Sequence, residues 1–201
     1  MGSYHPVGVT RLLSSQFVNQ RDPLNVPERQ GASTARIAQA VLSVAVLLTT
    51  TVVHVATYLG FNLTADSEAP SFVLHVAALM VFGLAVNYLR SQMPPSPIPT
   101  GVPQWFVENG MPRWAIRLLH VIFVYALLNF VLFLVLTRGL YAKHQNGQYV
   151  LASHGHVERV VSEAEYREDR LRHARGLSGH WILFSLFSSL VFTVRRRGDG
   201  T

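Results

Sequence analysis

Four stretches of this chain carry no Asp, Glu, Lys or Arg at all: 37–65, 69–89, 118–137 and 176–194. Each is long enough to cross a hydrocarbon core, which takes roughly 20 helical residues at about 1.5 Å apiece. Lipid offers no partner for a free N–H or C=O, so each run is expected to be a helix that satisfies its own backbone. The runs are continuous and do not alternate, which argues against a β-barrel. Only 14% of the 201 residues are charged, well below the roughly 25% of a soluble domain. The expected fold is therefore an all-α membrane protein with four transmembrane helices, at 37–59, 71–89, 118–137 and 176–194. The fourth is the weakest candidate, being short and bearing four serines, and a buried helix of a soluble protein is its alternative reading.

Segment boundaries follow from the spans. A cytoplasmic arm is expected at 1–36, a short outer loop at 60–70, a proline-rich cytoplasmic loop at 90–117, an outer cap at 138–175 and a cytoplasmic tail at 195–201. Orientation rests on the positive-inside rule. Arg11, Arg21, Arg29 and Arg36 precede the first span, Arg90, Arg113 and Arg117 border the second loop, and Arg195, Arg196 and Arg197 end the chain, whereas the first loop holds Asp66 and Glu68 and no base. Both termini are thus expected in the cytoplasm. The third loop runs against the rule with seven basic residues, offset by five acidic ones. The arm reads as a short interfacial stretch followed by an extended tether, because "RDPLNVPERQGAST" is polar and proline-bearing. Trp105 and Trp114 read as headgroup-level anchors.

The third loop is the one extramembrane part with a legible fold. "GQYVLASHGHVERVV" places two β-prone runs around "HG", so a small β-hairpin is expected at 148–161, with Gly155 supplying the positive φ of its turn. Ser162 and Glu165 then form the sequence signature of a capping box at the start of a helix. Gly176 and Gly179 are expected to bend that helix before the last span. An isolated hairpin is marginal in water, so this one is expected to lean on the helix, on the bilayer or on another subunit.

Absences narrow the function. There are no cysteines, which removes disulfides, thiolate metal sites and cysteine nucleophiles. No span holds an ionisable carboxylate or amine, as pumps and ion-coupled transporters ordinarily do. No zinc-protease, nucleophile-elbow or phosphate-loop motif is present. Net charge is +6, which topology explains without nucleic acid.

Histidines are the remaining candidates for chemistry. His54, His75 and His180 each lie roughly 6 to 8 Å below the outer surface in the expected orientation, while His120 sits at the opposite end of its span. Two facing imidazoles suit a b-type haem, and three can hold a metal ion. His154 and His156 offer a second pair for a metal if the turn between them allows it. The alternative for each is an ordinary interfacial side chain bonded to a carbonyl or to water.

The runs "GQYVLASHG", "SEAEY" and "SGHW", over roughly 147–181, together resemble a pattern found in small bacterial integral-membrane proteins. That resemblance implies an outer hairpin joined to a final span, and no activity, cofactor or substrate. Two functional expectations follow from the residues. One is a non-catalytic accessory or scaffold subunit, in a bacterial inner membrane, packed against a membrane-protein partner or a second copy. The other is a haem b- or metal-binding electron carrier that uses the outer histidines.

Overall fold

A computed structural model of the chain describes residues 26–63, 69–92, 106 and 110–194, with the backbone alone over 26–33. Four helices dominate: α1 (Val26–Tyr58), α2 (Ala69–Gln92), α3 (Arg113–Thr137) and α4 (Glu163–Thr193). Each is long and apolar enough to cross a membrane. Between α3 and α4 lies an antiparallel sheet of β1 (Tyr141–Gln145), β2 (Gln148–Ser153) and β3 (His156–Val160), in the order β1-β2-β3. The interfacial stretch of the arm, most of the proline-rich loop and the arginine tail lie outside the described residues.

α4 is the hub. Its Ser178, Ser185 and Ser188 are fully buried, and Ser189 nearly so. Each hydroxyl is satisfied by a carbonyl of its own helix, as in Ser185 Oγ to Trp181 O at 2.6 Å and Ser188 Oγ to Phe184 O at 2.7 Å. A serine whose hydroxyl is bonded in this way presents a small surface, so neighbouring helices approach closely. α1 answers with a stripe of the same character, Ser43, Val46, Thr50, Val53, His54 and Thr57, all buried at intervals of mostly three and four residues, and Thr50 Oγ1 meets Ser185 Oγ at 3.4 Å. Val46 and Val53 of α1, Ala78 and Val81 of α2 and Trp181 of α4 form one apolar cluster. A second, at the end farther from the sheet, joins Ala85 and Leu89 of α2, Ala115 of α3 and Leu190, Val191 and Phe192 of α4.

The opposite faces are bare. On α3, Val121, Phe123, Val124, Leu127 and Leu128 are each more than half exposed. A contiguous apolar surface of this kind is unsuited to water and is the normal surface of a helix in lipid.

Three sequence expectations change here. First, the hairpin is a three-stranded meander. Its β1–β2 turn is Asn146-Gly147 and its β2–β3 turn is His154-Gly155, with φ of 51° and 77° in the first and 48° and 88° in the second. Positive φ at both central residues is the type I′ geometry that matches strand twist. Second, α4 is one continuous helix, opened by the Ser162–Glu165 capping box. Gly176 and Gly179 lie inside it and do not interrupt it. They are points of close approach: a Cβ at Gly176 would lie 2.4 Å from the Phe133 ring, and one at Gly179 2.5 Å from Asn129 Nδ2. Third, α1 begins at Val26, so all but the first five residues of the expected tether are helical.

The sheet finds its support within the chain. Ala142, Leu151 and Val161 are buried together, with Tyr149 and Tyr166 packed around them. The backbone N–H of Ala142 donates to Asp169 Oδ2 at 2.9 Å, which pins β1 to the first half of α4. That half, Glu163–Arg175, is too densely charged for hydrocarbon, and the uncharged run begins at Gly176.

Candidate functional site

Polar groups gather where the helices meet the sheet side. His54 projects from α1 and is 6% exposed. Its Nδ1 lies 2.7 Å from Ser178 Oγ of α4, and its Nε2 bonds the Tyr125 hydroxyl of α3. One imidazole thus ties three helices. Proton directions follow from the ends of the chain of bonds. Ser178 donates its own hydrogen to Arg175 O at 3.2 Å, so Oγ accepts from His54 Nδ1–H. That leaves Nε2 as the acceptor for Tyr125 O–H, whose oxygen accepts from Tyr58 O–H at 3.2 Å. Every hydrogen is used once.

Arg175 closes this cluster. Its guanidinium donates to Thr57 O at 2.8 Å and stands 4.4 Å over the Tyr58 ring in a cation–π arrangement, while its Nε is buried without a hydrogen-bond partner among the described residues. Asn129 of α3 donates through Nδ2 to Arg175 O and Gly176 O, each at 3.1 Å. Carbonyls that already accept a helical bond keep a second lone pair, and Asn129 uses it to hold α3 against α4.

His75 and His180 occupy different settings. Trp181 Nε1–H donates to His75 Nδ1 at 3.0 Å. An indole nitrogen only donates, so the neutral His75 ring must carry its hydrogen on Nε2. His180 bonds Gly176 O through Nδ1 at 3.3 Å and sets its ring edge-on to Phe130 of α3. The three histidines share one level, opposite or within residues 178–181 of α4, as their positions in the sequence suggest. His75 and His180 are near enough to interact electrostatically, while His54 bonds Ser178 and Tyr125. No hydrogen bond or ring contact joins any two of them, and among the described residues no three His, Asp or Glu side chains are placed to hold a metal ion. His120 is exposed and bonds Ile116 O.

His154 and His156 sit at the tip of the second hairpin, both exposed. His154 occupies the turn itself, and His156 opens β3 opposite Ser153.

Beside His75 lies a cavity of about 600 Å³, bounded by the first turns of α2, by β1 and by α4 where its charged and uncharged parts meet. Phe72, Ala174 and Leu177 form its apolar wall, and His75, Arg170 and His173 its polar one. His173 Nδ1 faces Asp169 O at 2.9 Å and Oδ2 at 3.2 Å, both acceptors, so that nitrogen carries a hydrogen. Burial disfavours a charged imidazole here, but the Asp169 carboxylate and carbonyl outweigh it and raise the His173 pKa above its ordinary value.

Tyr125, Asn129, Asp169, Arg175, Ser178 and Trp181 are not candidates from sequence. For two of them a signal exists: Tyr125 and Asn129 are four residues apart in an otherwise apolar span, so they mark one helix face, and polar faces in lipid turn inward. The chain matches no family model, no curated protein and no solved structure.

Proposed function

We propose that the protein is a non-catalytic integral-membrane subunit that packs within a larger membrane-protein assembly. The supporting observation is how little of α2 and α3 the chain covers itself. In their most apolar stretches 17% and 11% of residues are buried, against 61% in α4. Both helices lean on α4 and leave long apolar flanks that a partner helix or a second copy can cover as readily as lipid. Polar side chains within the spans and at their ends are engaged in holding helices together: His54, Tyr125, Asn129, Ser178 and Arg175 all bond across helix boundaries. We assign the sheet side to the outer face and the termini to the cytoplasm on the distribution of arginines, and the membrane to a bacterial inner membrane on the sequence resemblance alone.

Mild-detergent purification of the tagged chain from native membranes, after cross-linking, tests this reading. A stoichiometric membrane protein or a second copy in the eluate is the expected result. A dispersed monomer at every detergent concentration would refute it.

A second reading, the haem- or metal-bearing electron carrier, rests on His75. That ring borders a cavity, and ligation there would require the Trp181 N–H bond to Nδ1 to open so that the ring hydrogen can move off Nε2. A reduced-minus-oxidised spectrum without a haem band, with no stoichiometric metal, removes that reading.

A further inference from the structure

The lining of the cavity beside His75 holds more hydrogen-bond donors than acceptors. Its polar part offers hydrogens from Nε2–H of neutral His75, fixed in that tautomer by Trp181, from the Ser71 and Tyr141 hydroxyls, which can also accept, and from Arg170, whose five N–H donors exceed what the interaction it already makes requires. His173 joins them, with Nδ1 committed to Asp169. The Asp169 carboxylate itself is turned to Ala142 N–H and His173. Phe72, Ala174 and Leu177 give the lining its apolar part, and Phe72 is 67% exposed.

The cavity also sits at a defined level. Arg170 and His173 belong to the charged half of α4, and Leu177 to the uncharged run that starts one residue earlier. A ligand there meets cations on the water side and hydrocarbon on the other. At about 600 Å³ the space falls within the 300–1,000 Å³ common for small-molecule sites, ample for a headgroup with the first carbons of its chains.

We propose that this cavity binds the phosphodiester headgroup of an anionic membrane phospholipid, with Arg170 and His75 donating to the phosphate oxygens and the acyl chains leaving along Phe72 and Leu177. The alternative source of the same chemistry is a free phosphate ion, which would use the polar wall and ignore the apolar one.

The full chain, reconstituted in phosphatidylcholine nanodiscs doped with phosphatidylglycerol, is released into detergent, and retained lipid is read by native mass spectrometry. The wild type is expected to keep one phosphatidylglycerol in preference to phosphatidylcholine. Arg170→Gln is expected to lower that retention about five-fold, the worth of one cation near an anionic surface. Leu177→Trp, which obstructs the apolar wall and leaves every donor in place, is expected to lower it comparably, and stands in if Arg170→Gln does not fold. Arg167→Gln, at an exposed position paired with Glu163, is the control and should retain lipid as the wild type does. Unchanged retention in folded Arg170→Gln or in Leu177→Trp overturns the proposal. Displacement of the lipid by millimolar inorganic phosphate, with Leu177→Trp indifferent, assigns the cavity to a free anion and also overturns it.

Discussion

Alanine at Gly179 tests the packing of α3 on α4 at its tightest point. The added Cβ would lie 2.5 Å from Asn129 Nδ2 and 3.2 Å from Asn129 Cγ, far inside ordinary contact. The amide must swing out, and it then loses its bonds to Arg175 O and Gly176 O. Interhelical hydrogen bonds in membranes average about 0.6 kcal/mol, so the two are worth about 1 kcal/mol together. Overpacking a filled interface adds ~1–3 kcal/mol. Against this, alanine gains ~1 kcal/mol over glycine in helix propensity. The net expectation is a destabilisation of ~1–3 kcal/mol. Reversible unfolding in mixed micelles titrated with dodecyl sulfate, followed by tryptophan fluorescence, measures it. Two comparisons isolate the cause. Gly83 lies in α2, where an added Cβ would meet nothing within 4 Å, so Gly83→Ala should be neutral or stabilising by up to ~1 kcal/mol. In an Asn129→Ala background the obstacle is gone, and Gly179→Ala should lose most of its effect, a coupling of ~1–2 kcal/mol. If Gly179→Ala matches or exceeds wild-type stability, or if the two glycines respond alike, the close-approach reading of α4 is wrong.

His54→Phe keeps the bulk but strands Tyr125 and Ser178, and should cost ~1–3 kcal/mol in the same titration, where wild-type stability would show that the three-helix tie contributes nothing. Asp169→Leu removes the acceptor of Ala142 N–H, so amides of β1 should exchange markedly faster while those of the spans keep their protection; uniform exchange across both would contradict the docking scheme. His173 has a raised pKa, so its contribution is full below its unfolded value of about 6.5 and is lost as pH rises through the higher folded value. The stability gap between wild type and His173→Gln should therefore narrow from pH 6 to pH 9, and a gap that widens over that range would reverse the assigned sign.

The sequence makes the spans legible because a run without charge has few alternatives, and the capping box because its two residues act within four positions. The hairpin around His154-Gly155 is legible for the same local reason. β1 is also legible in principle: Asn146-Gly147 is a strong turn signal, and it stands between "YAKHQ" and "QYVLAS". A reading that starts at Gly147 cuts the turn in half and loses the strand before it. The histidines show the limit. Their common level follows from counting residues along helices, whereas the faces they occupy depend on how each helix is rotated, and nothing local fixes that rotation.

What fixes it is polarity in an inverted sense. α3 has the highest mean hydropathy of the four helices and is the least buried, while α4 has the lowest and is the most buried. In water the ranking would run the other way, because burial there removes apolar surface from solvent. In lipid, apolar side chains gain little by leaving the bilayer, and helices associate through close packing and hydrogen bonds. The features that weaken the fourth span as a candidate, its serines and glycines, are therefore the ones that place it at the centre: Ser178 holds His54, Gly179 admits Asn129, and Ser185 meets Thr50. By the same logic, the flanks of α2 and α3 that stay apolar throughout are the ones with least to hold them against the rest of this chain.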